Sequence, residues 1–217
     1  MPPRTQEARS DETRQKLLRA TQRLLLTHGY SRITTPDIAR EAGVSRGALT
    51  HHFASKEDLL VRALAHQLQE VTEALHRFCE AHPAPALSTE QALDYLWKMM
   101  ADGLFYTTLE YLPEARHNPA FREALLPVVR EFHAALDVVW GLLAAGYGIG
   151  QAHARTAMNT SMCLIRGMIA QTVLRDDPAY FQGMFDYWKA QLRADFLGRR
   201  TAPTPPLGAE PHLQDTP

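Results

Sequence analysis

The spacing of apolar residues constrains this chain most, because they recur at intervals of three and four along almost its whole length. That interval matches one face of a 3.6-residue helical turn, whereas the alternation expected of a half-buried strand is nearly absent. With 217 residues and 45% hydrophobic content, the chain can bury one large core, or a small domain beside a larger one. We therefore predict an all-α fold of about nine helices.

Local start and stop signals divide the N-terminal region into short helices. A first helix is expected over about residues 11–28, closed by Gly29, since glycine readily adopts the left-handed conformation that ends a helix. Thr35 is the expected N-cap of a second helix with Pro36 at its first position, where the missing N–H costs nothing. Gly43 ends that second helix.

A tight turn joins the second and third helices. Ser45 is placed to cap a third helix over about residues 46–52, only two residues after the second ends, and so short a turn forces a steep crossing. Ser55 then begins a capping box with Asp58 and starts a fourth helix over residues 56–81. That helix is longer than a small domain needs, so we predict that it connects two domains.

The outward face of the third helix carries the side chains that indicate a function. They are small, polar or cationic: Arg46, Gly47, Thr50, His51 and His52. Such side chains suit a helix that enters a DNA major groove about 12 Å wide and reaches base edges and phosphates. The inward positions Ile38, Ala42, Val44, Leu49 and Phe53 are apolar and are expected to pack the second and third helices against the first.

Residues 10–60 resemble the DNA-binding domain of the TetR family of bacterial regulators. The resemblance rests on the Ile38-Ala39 and Ala42-Gly43-Val44-Ser45 core, the Gly47-x-Leu49-x-x-His52-Phe53 run and the Ser55-Lys56-Glu57-Asp58-Leu59 start of the fourth helix. It implies DNA contacts from Thr35, Arg46, Gly47, Ala48, Thr50, His51, His52 and Lys56, with Lys56 holding a phosphate. Thr50 stands where the family usually has a tyrosine. This difference indicates either a lost aromatic contact to phosphate or a changed base preference.

The resemblance also implies the domain organisation. We expect a flexible N-terminal arm (1–9), a helix-turn-helix domain (10–55, motif 34–53), a connecting helix (56–81), a helical ligand-binding and dimerisation domain (82–200) and a disordered tail (201–217). The last two helices, over about residues 152–173 and 180–196, are apolar around more of their surface than one domain needs. They are expected to form a homodimer, which predicts a palindromic operator in double-stranded DNA.

The second domain is expected to hold a small, largely apolar effector that releases a repressor from its operator. Its middle helices are rich in aromatic residues and methionine, which adapt to varied apolar ligands. The expected pocket residues are Trp97, Met100, Phe105, Tyr106, Leu109, His133, Trp140, Met162 and Arg166. The alternative interpretation is that these residues are ordinary core. Arg166 needs a partner if buried, and Glu110 or Asp137 is favoured over a ligand.

Charge and cysteine usage bound the remaining possibilities. The net charge is −1, but residues 1–60 hold ten Lys and Arg against seven Asp and Glu, so nucleic-acid contact must be local. No targeting or membrane-spanning segment is evident, so a cytoplasmic protein is expected, with no metal, no cofactor and no catalytic residue. The alternatives are a ligand-independent DNA-binding regulator, a redox sensor built on Cys79 and Cys163, and, more remotely, an α-helical enzyme using the apolar cavity.

Overall fold

The computed structural model describes residues 5–83 and 87–200, and the regular structure in these residues is all helical. The helices are α1 (Gln6–His28), α2 (Thr35–Ala42), α3 (Arg46–His52), α4 (Lys56–Ala81), α5 (Thr89–Met99), α6 (Phe105–His117), α7 (Pro119–Tyr147), α8 (Gln151–Thr172) and α9 (Pro178–Arg200). A π-helical turn, Met100–Leu104, joins α5 to α6. The predicted all-α fold is confirmed.

The first helix begins earlier than its apolar stripe indicates. Thr5 is its N-cap, because the Thr5 hydroxyl accepts a hydrogen bond from the amide of Ala8 at 3.2 Å. Residues 6–9 are therefore helical, and the predicted flexible arm over 1–9 is wrong for them. Residues 1–4 and the predicted disordered tail, 201–217, lie outside the described residues.

The cap of α2 is Thr34, not Thr35 as predicted. The Thr34 hydroxyl accepts from the amide of Asp37, and the Asp37 carboxylate accepts from the Thr34 amide at 3.3 Å. This reciprocal pair satisfies two otherwise unpaired N–H groups, which explains why the helix starts one residue earlier than the proline suggested. Pro36 still lies in the first turn, where its lack of an N–H is harmless.

The turn between α2 and α3 follows the predicted chemistry. Gly43 adopts a left-handed conformation with φ of 67°, and its amide donates to the carbonyl of Arg40. Val44 donates to the carbonyl of Ala39 at 3.0 Å, which completes a Schellman closure. The Ser45 hydroxyl then accepts from the amide of Ala48 and caps α3, as predicted.

Ser55 caps α4 as predicted, since its hydroxyl accepts from the amide of Asp58 at 3.1 Å. The reciprocal half of the expected capping box is wrong. The Asp58 carboxylate accepts from the amide of Ala54 instead of Ser55, at 3.0 Å. The carboxylate therefore ties the residue before the cap to the first turn of the helix.

Two C-terminal helices, α5 and α7, begin at the N-caps that the sequences Ser88-Thr-Glu-Gln91 and Asn118-Pro119 predict. Ser88 and Gln91 form a full capping box on α5, and Asn118 accepts from the amide of Phe121 at the start of α7. Leu112-Pro113 predicts the end of a helix, but Pro113 lies inside α6. Because proline has no N–H, it cannot donate to the carbonyl of Leu109, whose side chain is exposed.

Buried side chains form two hydrophobic cores, and α4 contributes to both. The N-terminal core contains Leu17, Leu18, Ala20, Ile38, Ala39, Leu49, Phe53, Leu59 and Ala63. The larger core collects residues from α5 to α9 together with Leu25, Ile33, Leu60, Leu64, Leu68 and Leu75. Adjacent leucines of α4, Leu59 and Leu60, thus lie in different cores. The prediction that α4 joins two helical units has this physical basis.

None of the described helices is by itself long and apolar enough to cross a membrane. The pair α7 and α8 meets the criterion of length and composition only when counted together, across a bend of 118°.

Candidate functional site

The outer face of α3 is the first candidate site. Its exposed residues include Arg46, Gly47, Thr50 and His51, while Ala48 and His52 are half-buried. On the opposite side, Leu49 and Phe53 are only 3% and 2% exposed and belong to the N-terminal core. The two buried residues fix the orientation of α3, so its polar face is held toward solvent.

Arg46 differs from Arg40 and Arg23 in having no ion pair within residues 5–83 and 87–200. Arg40 pairs with Asp37 at 2.5 Å, and Arg23 pairs with Glu41 at 2.8 Å. The charges of those two arginines are thereby largely neutralised within the domain. The guanidinium of Arg46, in contrast, keeps all its donors for an external acceptor such as a phosphate or a guanine edge.

Thr50, His51 and His52 complete this face with weakly charged polar groups. The Thr50 hydroxyl donates back to the helix, 3.1 Å from the Gly47 carbonyl, so its lone pairs point outward. The imidazole rings of His51 and His52 meet edge to face at 5.3 Å. Burial lowers the pKa of His52 below its ordinary value, and the nearby His51 and Arg14 add to this. His52 is therefore mainly neutral near pH 7.

The two other predicted contact residues lie at the edges of this surface. Thr35 is half-buried at the first position of α2. Lys56 stands at the start of α4, where its ammonium donates to the Tyr30 carbonyl at 3.0 Å and lies 4.8 Å from the Tyr30 ring centre. An ammonium has three N–H donors, so two remain for a phosphate beside the helix N-terminus.

A cavity of about 330 Å³ between α4, α6 and α7 is the second candidate site. Its lining is mostly apolar: Leu64, Leu68, Leu104, Phe105, Thr108, Leu109, Tyr111, Leu112, Ala115, Arg122, Leu125, Leu126, Val129, Phe132, His133 and Arg166. Four of the predicted pocket residues line it, namely Phe105, Leu109, His133 and Arg166. Arg166 enters from α8 and is the one lining residue from that helix among those described.

The other five predicted pocket residues lie elsewhere and do not line this cavity. Met100 and Met162 are buried in the larger core, at 1% and 3% exposure. Trp97 packs against the Phe185 ring of α9 at 4.8 Å. Trp140 is 2% exposed and donates its indole N–H to Asn159. The Tyr106 hydroxyl lies 3.5 Å from that of Thr172 on α8.

Arg166 is not paired with either carboxylate that the sequence favoured. Glu110 accepts from the backbone amide of Tyr30 at 2.8 Å, and Asp137 binds Arg155 at 2.7 Å. The Nε atom of Arg166 is buried and has no hydrogen-bond partner in the described parts of the chain. The same burial lowers the pKa of this guanidinium. The predicted structural partner is therefore wrong.

A second cleft, of about 380 Å³, lies where the ends of α4 and α7 meet. Its lining includes His76, Cys79, Leu87 and Tyr147. This cleft is slightly larger, and the buried Nε2 of its His76 also has no hydrogen-bond partner in the described parts of the chain. Its described lining holds no arginine, so we consider the cavity at Arg166 the stronger candidate for a ligand.

Comparison with known proteins identifies the family. Residues 17–63 match the family model of bacterial regulatory proteins, tetR family. The HTH-type transcriptional regulator CymR of Pseudomonas putida is 27% identical over 180 residues, which cover 82% of this chain and 88% of CymR. The DNA-binding domain of this chain belongs to the tetR family of bacterial regulatory proteins.

Solved structures of TetR-family regulators share the fold over most of the chain. A putative TetR-family transcriptional regulator from Mesorhizobium loti superposes with a TM-score of 0.67, covering 88% of this chain and 97% of that one at 17% identity. The multidrug binding protein EbrR, solved with imidazole, gives a TM-score of 0.57 at 25% identity over 82% of this chain and 93% of EbrR. This TetR-family chain is a DNA-binding transcriptional regulator, as its relatives are, and not an enzyme.

Sequence reasoning missed the contacts that connect the two candidate sites of this TetR-family regulator. Glu110 on α6 holds the backbone amide of Tyr30 just after α1, and Tyr111 donates its hydroxyl to the Leu60 carbonyl of α4 at 2.8 Å. Burial raises the pKa of Tyr111, so the phenol stays protonated. No local pattern reveals these contacts, because they join residues 80 and 51 positions apart.

Proposed function

We propose that this TetR-family regulator is a homodimeric repressor that binds a palindromic operator through α3 and is released by a small effector in the α4–α6–α7 cavity. The single observation that carries the DNA-binding part is the unpaired, exposed Arg46 on a helix anchored by Leu49 and Phe53. Because its target is chromosomal DNA, we place the protein in the cytoplasm.

The proposed DNA contacts are those of the outer face of α3 and its edges: Thr35, Arg46, Gly47, Ala48, Thr50, His51, His52 and Lys56. Arg46 is assigned to base or phosphate recognition, and Lys56 to a phosphate at the N-terminus of α4.

The proposed boundaries are 10–55 for the helix-turn-helix domain, 56–81 for the connecting helix and 82–200 for the effector and dimer domain. The early start of α1 extends the first domain to residue 6.

The proposed dimer interface lies on α8 and α9, where apolar side chains remain uncovered. On α8, Leu164 is 38% exposed beside the exposed Gly167, and on α9, Met184 and Tyr187 are 38% and 67% exposed. Two helices from each of two subunits can bury such faces in a four-helix interface. A two-fold axis there relates two α3 helices, and this symmetry is the reason for proposing a palindromic operator.

The effector site is supported by its size and its position. A volume of about 330 Å³ lies in the range of small-molecule sites. EbrR, which shares the fold, was solved with imidazole and is described as a multidrug binding protein. We propose that this regulator likewise holds a small molecule, and that Phe105, Leu109, His133 and Arg166 contact it.

Helices α4 and α6 connect the DNA-binding surface to the effector cavity. Leu64 and Leu68 of α4 line the cavity, and Lys56 begins the same helix about 12–18 Å away at 1.5 Å per residue. Phe105 and Leu109 of α6 line it too, and the next residue, Glu110, holds the end of α1. An effector that binds more tightly to the protein with wrongly spaced α3 helices than to the operator-bound protein must weaken operator binding. The factor equals the ratio of those two effector affinities, typically about 5- to 150-fold.

The test begins with selection of bound fragments from random DNA by the full-length protein, followed by binding measurements on the selected operator. We expect Arg46→Ala to relax the preference at one base position. Lys56→Ala should weaken binding to all duplexes alike and reduce the slope of log K against log salt by about 1. Arg130→Ala, on the exposed side of α7, is the matched control and should change neither property.

Thermal unfolding of each variant separates DNA contacts from folding, because Lys56 also donates to the Tyr30 carbonyl. A full-length protein that selects no sequence and ignores all duplexes at low salt contradicts the proposal. Selection of a single half-site without a dyad contradicts the dimeric, palindromic part alone.

A further inference from the structure

The ionisable side chains available to a ligand among the described residues of the α4–α6–α7 cavity are all basic. Twelve of its lining side chains are apolar or, for Tyr111, commit their hydroxyl to the protein. The other four are Thr108, Arg122, His133 and Arg166, and none of the described lining residues is acidic. A ligand with a cationic group would therefore meet no compensating carboxylate, whereas an anionic group would meet at least one guanidinium.

Arg166 is the group whose hydrogen bonding is incomplete. Its Nε is buried without a partner among the described residues, although buried polar atoms in folded proteins are almost always hydrogen-bonded. An arginine does not relieve this by losing its proton, because a guanidinium stays charged in folded proteins. A planar oxyanion that offers two acceptor oxygens satisfies a guanidinium in bidentate geometry.

We propose that the effector is an apolar monocarboxylate of about ten non-hydrogen atoms, bound with its carboxylate on Arg166 and its apolar part against α6 and α7. The size follows from the cavity volume of about 330 Å³, at roughly 30 Å³ for each water-sized group. This inference rests on the proposed function, because it assigns the chemistry of the same effector site.

The two other basic lining residues provide a contrast with Arg166. Arg122 and His133 both lie on α7 and are exposed to solvent. The charge of Arg122 is already hydrated, so pairing with a ligand gains little for it. The guanidinium of Arg166 is half-buried and partly desolvated, and an ion pair there is screened less. Arg166 should therefore dominate recognition of the carboxylate, with Arg122 as a matched control.

The test measures ligand binding by calorimetry on the full-length protein without DNA, using octanoate and 1-octanol as probes of nearly equal size. We expect octanoate to bind at least 10-fold more tightly than 1-octanol to the unaltered protein. Arg166→Gln should weaken octanoate binding by about 10- to 150-fold and leave 1-octanol nearly unchanged, which corresponds to a lost hydrogen bond to a charged group. Arg122→Gln should change either affinity by less than about 3-fold.

Arg166→Lys refines the assignment, because it keeps the charge but not the planar pair of donors. We expect it to recover only part of the octanoate affinity. If the Arg166 variants fail to fold, the comparison of octanoate with 1-octanol on the unaltered protein still decides the proposal. Equal affinities for the two probes, no binding of octanoate, or an equal loss for Arg122→Gln would each overturn it.

The measurements also distinguish this inference from the proposed function. Operator selection and the Arg46 and Lys56 variants are assayed without any ligand, so they test DNA binding alone. A protein that binds its operator and is released by neutral apolar molecules but not by carboxylates refutes the inference and leaves the repressor intact. A protein that binds octanoate through Arg166 but recognises no operator refutes the repressor alone.

Discussion

Replacing Glu110 by alanine should weaken both the stability of the protein and the connection between its two sites. Glu110 Oε2 accepts from the Tyr30 amide at 2.8 Å, which joins α6 to the residue that follows α1 and Gly29. The Tyr30 amide is part-buried, and removing a charged acceptor leaves it unpaired. A hydrogen bond to a charged group contributes about 1.5–3 kcal/mol, so partial exposure places the expected loss at about 1–2 kcal/mol.

Urea unfolding measures this loss as a lower midpoint with an unchanged slope. Operator affinity without effector should change little, because Glu110 is not part of the α3 surface. The ratio of operator affinities with and without effector should fall toward 1, since α6 no longer holds the end of α1. Glu110→Gln, which keeps an acceptor oxygen, should lose less stability than Glu110→Ala.

Glu123→Ala, at an exposed position of α7, provides the control and should leave the midpoint within about 0.5 kcal/mol of the original. The reasoning is refuted if Glu110→Ala unfolds at the original urea concentration. An unchanged effector response in a destabilised Glu110→Ala protein refutes the connection through α6 while leaving the hydrogen bond as a purely structural contact.

Three further substitutions test the core, a helix cap and the dimer. Leu49→Ala, at 3% exposure, should cost about 2–5 kcal/mol in urea unfolding and abolish operator binding, and a loss below 1 kcal/mol would show that α3 is not anchored by this residue. Asn118→Ala removes the acceptor for the Phe121 amide and should lower stability by about 0.5–2 kcal/mol, checked by thermal unfolding against the adjacent exposed Ala120→Ser. Tyr187→Asp should yield a folded monomer by sedimentation, and a dimer of undiminished affinity would exclude this part of α9 from the interface.

Elements specified by local chemistry could be predicted from the sequence. Ser45, Ser55, Ser88 and Asn118 all cap the helices expected of them, because an N-cap depends only on residues within one turn. The error at α2 arose between two equivalent hydroxyls, and only Thr34 has an acidic partner three residues later. These errors move a boundary by one to five residues and leave the all-α architecture intact.

The outward face of α3 was more predictable than the lining of the cavity for a physical reason. The buried side of α3 is fixed by the short turn before it, so the pattern around Leu49 also determines which residues face outward. In the second domain, whether an aromatic residue lines a cavity depends on how several long helices rotate against one another. Trp97 and Trp140 are aromatic residues of the kind that line apolar pockets. Trp97 packs against α9 instead, and Trp140 donates a hydrogen bond to α8.

The division of α4 between two cores limits how this regulator can be taken apart or recombined. A fragment that stops at residue 55 would lack Leu59 and Ala63, which complete the smaller core, and should not fold by itself. A fragment extended to Ala63 would instead expose Leu60 to water, a residue that the rest of the chain normally covers. Chimeras that exchange DNA specificity between regulators should therefore transplant the interacting leucines of α4 from one parent, instead of joining the parents at the apparent domain boundary.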